Sequence, residues 1–171
     1  RLCPHPAMRP LPAMRPMTRL RRQGFSLVEA VITLLILGLF AAAAAPKFAQ
    51  FLEASRLDAA VRRIRSDLAA AQARAQAISA PQTVAFTAPP DGNGYELRGV
   101  TDPDRPAASY LVELSEEPYG ATLRKVDLGG DGVVVFNGYG TPDSGGTIVV
   151  GRGGMTKTIT LDPVTGNTLA P

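Results

Sequence analysis

Gly24 to Ala45 reads GFSLVEAVITLLILGLFAAAAA. From Phe25 to Ala45, Glu29 is the only charged residue. As a helix the run extends about 31 Å at about 1.5 Å per residue, enough to cross a hydrocarbon core. Arg19, Arg21 and Arg22 stand just before it, and no acidic residue precedes it. That asymmetry predicts a single-pass anchor with a cytoplasmic N-terminus and the remaining chain outside. A carboxylate inside such a span costs roughly 2.5–3.5 kcal/mol even on lenient insertion scales. Glu29 therefore needs a partner.

Gly24-Phe25-Ser26-Leu27-Val28-Glu29, behind a basic leader and ahead of an apolar helix, resembles the processing site of type IV prepilins and type II secretion pseudopilins. The resemblance implies that a membrane prepilin peptidase cuts between Gly24 and Phe25 and that Phe25 becomes N-methylated. It also implies an assembly role for Glu29, whose carboxylate pairs with the new ammonium of a neighbouring subunit's Phe25 and neutralises both charges in hydrocarbon. Partners follow: the peptidase, the membrane, and other pseudopilins or pilins bound through the N-terminal helix. An ordinary signal peptide, with Arg21-Arg22 and Ala43-Ala44-Ala45 as its landmarks, fits less well. Glu29 interrupts its apolar region, and Pro46 would follow the cut. A plain anchor explains the span but not the Gly-Phe-x-x-x-Glu order.

The 171 residues suit one modest domain plus an anchor. The net charge of +3 resides in the leader: Arg1, Arg9, Arg15, Arg19, Arg21 and Arg22 all precede the expected cut. Without them 12 basic residues face 15 acidic ones, a net −3, so the exported part does not read as a nucleic-acid binder. Cys3 and His5, the only cysteine and histidine, also precede the cut. Neither a disulfide nor a zinc site nor a nucleophilic triad is expected after it, and the chain does not read as an enzyme. Residues 1–16 carry a proline-dense repeat, Pro6-Ala7-Met8-Arg9-Pro10 and Pro12-Ala13-Met14-Arg15-Pro16, that suits neither helix nor core. We expect 1–16 to be upstream sequence, Met17 the start, and 17–24 the leader proper.

Residues 25–45 are thus the membrane and filament-core helix, and 46–80 its amphipathic continuation, with a kink expected at Pro46. Leu57, Val61, Ile64, Leu68, Ala71, Ala75 and Ile78 form one apolar stripe at alternating spacings of 4 and 3. Arg56, Asp58, Arg62, Arg63, Arg65 and Asp67 fall on the other faces. The helix is expected from about Phe25 to Ser79, stopping before Pro81. From residue 81 to 171 the period changes to two. Strands are expected at 83–87, 95–100, 110–115, 121–127, 133–136, 147–150 and 157–161, separated by glycine-rich turns. With no helix between them, they predict one antiparallel sheet whose apolar face the helix stripe covers: an α+β, pilin-like fold.

The run from Val133 to Pro142, then Gly145-Gly146-Thr147-Ile148-Val149-Val150, then Ile159-Thr160-Leu161 with Thr165-Gly166, is similar to the GspH/FimT-like minor pseudopilin domain. This implies a minor pseudopilin of a type II secretion system, in the inner membrane and then in the filament, with a minor pilin of a type IV pilus as the alternative. DNA-binding relatives carry arginines after the Thr-Gly. Here Asn167 to Pro171 carries no cation, and only Arg152 and Lys157 offer a small basic spot, so nucleic acid is not an expected partner. Asp127 and Asp131 around Gly129-Gly130, and Asp102 and Asp104 around Pro103, are candidate calcium oxygens, but neither spacing matches an EF-hand and no cofactor is expected.

Overall fold

The computed structural model describes residues 24–102 and 105–170. The expected leader up to residue 23, and Asp104, lie outside that range. Two units are distinguished, residues 1–41 and 42–171. The elements are α1 (Leu27–Ile78), β1 (Gln82–Thr87), β2 (Gly94–Thr101), β3 (Ser109–Glu113), β4 (Thr122–Leu128), β5 (Val133–Phe136), β6 (Gly146–Arg152), β7 (Met155–Leu161) and β8 (Thr168–Leu169).

α1 is one element of 52 residues that includes Pro46. Its end is chemically defined. Ala80 N–H donates to Ala75 O at 3.2 Å and Ser79 N–H to Gln76 O at 3.3 Å, with Ser79 left-handed at φ 50°. This is a Schellman stop, and Pro81 then prevents resumption. The stripe is buried from Leu57 to Ala75, but Ile78 is 51% exposed, against the expectation from spacing. As the last helical residue, Ile78 sits where the chain reverses at Ser79, so no strand covers it.

All seven expected strands are present, each within about two residues of its expected bounds. The single expected sheet is instead two four-stranded antiparallel sheets, β3-β2-β1-β5 and β4-β6-β7-β8. The chain crosses from the first sheet to the second between β3 and β4, returns for β5 and crosses again to β6. Asn93, at the β1–β2 turn, bridges the first crossing: its side chain donates to Ala121 O and accepts from Leu123 N–H, both at 2.8 Å. β4 is thereby held at the start of the second sheet. β8 was not anticipated, being two residues long.

The inward residues of both sheets and the α1 stripe make one core. Val84, Phe86, Tyr95, Leu97, Val134 and Phe136 come from the first sheet, and Leu123, Leu128, Ile148, Val150, Ile159 and Leu161 from the second. Ala60, Ala71 and Ala75 are fully buried, and their small side chains let strands approach the helix closely.

Candidate functional site

Gly24 to Ser26 precede α1, and Glu29 lies in its first turn. Ser26 and Glu29 occupy the positions of a capping box, and a carboxylate here also suits the positive end of the helix. The Thr33 hydroxyl donates to Glu29 O at 2.7 Å, which satisfies its polarity within an apolar run. Every side chain from Phe25 to Phe40 is exposed. The most apolar 18-residue window of α1 has mean hydropathy 2.4, with none of it buried. A soluble protein's core helix would be covered; this surface needs lipid or other helices.

The unit 42–171 has exposed apolar side chains of its own. Phe48, Phe51 and Leu52 are exposed on α1, and burial under the sheets begins only at Leu57. Their separations of three and four are a helical signal within the expected continuation 46–80, ahead of the stripe that starts at Leu57.

Within the head, α1 acts as a spine for loops. Gln72 Nε2 donates to Gly140 O and Thr165 O, both at 2.8 Å, and Gln76 Nε2 to Tyr139 O at 3.1 Å. Gly140 and Gly166 have positive φ, and a Cβ on either would fall within 2.3 or 2.6 Å of those amide nitrogens. The Thr-Gly singled out in the sequence therefore serves loop docking. The Asp162 carboxylate, accepting from the Thr165 and Val164 N–H groups, is held below its usual range.

Asp67 departs from its expected solvated position: it is only 7% exposed. Tyr95 OH donates to its Oδ2 at 2.6 Å, Arg63 Nε donates to the same oxygen at 3.0 Å, and Tyr110 OH lies 3.2 Å from both oxygens. Arg63 also reaches Tyr110 OH and stacks over its ring. Burial, then the adjacent Asp67 charge, pushes the Tyr95 and Tyr110 phenols above the ordinary tyrosine range. This cluster ties the helix to β2 and β3.

The expected basic spot is dispersed. Arg152 Nη1 donates to Tyr119 O at 2.7 Å and Gly120 O at 2.6 Å, while Lys157 pairs with Asp58 at 2.7 Å. Asp127 pairs with Lys125 at 3.1 Å, Asp131 Oδ1 accepts from Val133 N–H at 3.0 Å, and Asp102 pairs with Arg105 at 3.1 Å.

The family model for the prokaryotic N-terminal methylation motif matches residues 19–45, and that for type II transport protein GspH matches residues 60–166. The chain belongs to the GspH family. No curated protein and no solved structure matches it. The two matches support a type II secretion pseudopilin or type IV pilin-like protein, and GspH-like chains are structural subunits. Membership implies processing by prepilin peptidase and association with other pilins or pseudopilins. The apolar helix and the motif fit an inner-membrane anchor with an extracytoplasmic head. Neither match covers Phe48, Phe51 or Leu52 of this GspH chain.

Proposed function

We propose that this chain is a minor pseudopilin of a type II secretion system, placed in or at the tip of the pseudopilus. The observation that carries the reading is a methylation motif at 19–45 followed in one chain by a GspH domain at 60–166. The peptidase cuts between Gly24 and Phe25, Phe25 is N-methylated, and Glu29 sets subunit register by cancelling the neighbour's ammonium. The N-terminus faces the cytoplasm before the cut. Pro46 removes one helical hydrogen bond and gives the helix its point of bending. Phe48, Phe51 and Leu52 offer a further apolar surface for packing against neighbouring subunits. The dispersal of Arg152 and Lys157 into internal contacts speaks against a DNA-binding minor pilin, since phosphate capture needs clustered, available cations.

Mass spectrometry of the protein from its native envelope tests this directly, with methylated phenylalanine expected as the first residue. Gly24→Asp should leave the uncut precursor. Glu29→Ala should be cut normally yet enter filaments poorly. Another first residue rejects the processing site, and normal incorporation of Glu29→Ala rejects the register role.

A further inference from the structure

Among the described residues the two sheets have four outer strands, and three of these are blunted. β5 is clamped: Val135 N–H donates to Asp143 Oδ1 at 3.0 Å, and Asp143 N–H returns to Val135 O at 2.9 Å. β4 carries Arg124, Lys125 and Asp127 and a register shift between Leu123 and Lys125. β8 is two residues long. Charges, bulges and shortness are the usual protections of a sheet edge.

β3 carries no charge along Ser109-Tyr110-Leu111-Val112, its register shift against β2 lies at the Ser109 end, between Leu97 and Thr101, and Leu111 beyond it is 51% exposed. Leu114 N–H donates to Asn93 O at 2.9 Å on the β2 side. By antiparallel alternation Val112 and Tyr110 also face β2, so the N–H and C=O groups of Leu111 and Glu113 point away from the sheet. A depression of about 480 Å³ runs along this edge, from Arg63 and Arg105 to Glu113, Glu116 and Glu117. With Asp102, four carboxylates and two guanidiniums line it. The acidic end stays open: Glu117, paired with Arg56 at 3.2 Å, has a side chain 81% exposed.

We propose that β3 receives an extended strand from a second protein, basic at the end that lies over Glu113, Glu116 and Glu117. Main-chain bonds to Leu111 and Glu113 would supply affinity, and the carboxylates orientation. The better-bonded antiparallel arrangement puts the cations in the N-terminal half of the guest. This contact is independent of processing and of Glu29, since every residue in it belongs to the head.

The test uses the full chain in detergent micelles and two labelled octapeptides: Lys-Lys-Thr-Val-Thr-Val-Thr-Val and the same with Glu-Glu at its start. The lysine peptide should bind and slow hydrogen exchange at the Leu111 and Glu113 amides. Leu111→Pro removes an outward N–H and should weaken binding by about tenfold or more while the Val112 amide, facing β2, stays protected. Glu113→Lys with Glu116→Lys should transfer preference to the glutamate peptide. The idea is overturned by equal binding of both peptides, by binding unaffected in Leu111→Pro, or by an absence of binding to the parent. It is overturned equally if Leu111→Cys, in a Cys3→Ser background, links the chain to itself through that position.

Discussion

Removing the Asp67 carboxylate should show how far the head depends on one buried charge. In Asp67→Ala, the hydroxyl of Tyr95, a residue 1% exposed, loses its 2.6 Å acceptor. A buried polar group left without a partner costs about 1–3 kcal/mol, and a hydrogen bond to a charged group contributes about 1.5–3 kcal/mol. Arg63 loses its ion pair too, but its side chain is 40% exposed, so solvent recovers most of that energy. The sum is about 3 kcal/mol lost. Tyr95→Phe alone keeps the ring and should cost about 1.5 kcal/mol, because Asp67 retains Arg63 and Tyr110. In the double variant the hydroxyl is no longer there to be stranded, so the combined cost should fall short of the sum by about 1.5 kcal/mol. Urea unfolding of the four full-length proteins in the same micelles, followed by near-ultraviolet circular dichroism of the tyrosines, measures this. Additivity within about 0.5 kcal/mol would refute the claim that the pair is coupled.

The raised phenols predict a loss of stability in alkali. Each folded-state pKa lies above the unfolded value of 10.0. The contribution is therefore complete below pH about 10, and stability falls as pH rises beyond it, by at most about 1.4 kcal/mol per pH unit per tyrosine. Urea midpoints between pH 9 and 11.5 should decline more shallowly in Tyr95→Phe; an identical slope contradicts the assignment. Gly146→Ala would place a Cβ 1.8 Å from the Asp127 carbonyl oxygen, in the β4–β6 pairing, and should destabilise by at least about 2 kcal/mol. Gly154→Ala meets nothing within 4 Å and should unfold like the parent, so equal midpoints for the two variants would show that the close approach is relieved cheaply. Replacing Phe51 and Leu52 together by serine should leave the urea midpoint within about 0.5 kcal/mol, as expected of an exposed surface, but reduce pseudopilus incorporation. Full incorporation removes them from the filament interface.

Local pattern was enough to read the N-terminal methylation motif, the apolar stripe from Leu57 to Ala75 and the seven main strands. Each depends on neighbours in sequence: a helix face repeats every three or four residues and a strand face every two, whichever elements later cover them. Pairing does not obey that logic. That β3 and β4 join different sheets, with Asn93 bridging the crossing to Ala121 and Leu123, depends on groups far apart in sequence. Asp67 lies on a face that looks solvated in sequence, and only the arrival of Tyr95 and Tyr110 from distant strands makes its burial tolerable. Arg152 and Lys157 looked available for the same reason, until backbone carbonyls and Asp58 met them. Sequence specified which surfaces are apolar because transfer out of water is a property of each residue. Tertiary structure decided where the polar side chains find their partners, because a hydrogen bond or ion pair exists only between two groups the fold has brought together.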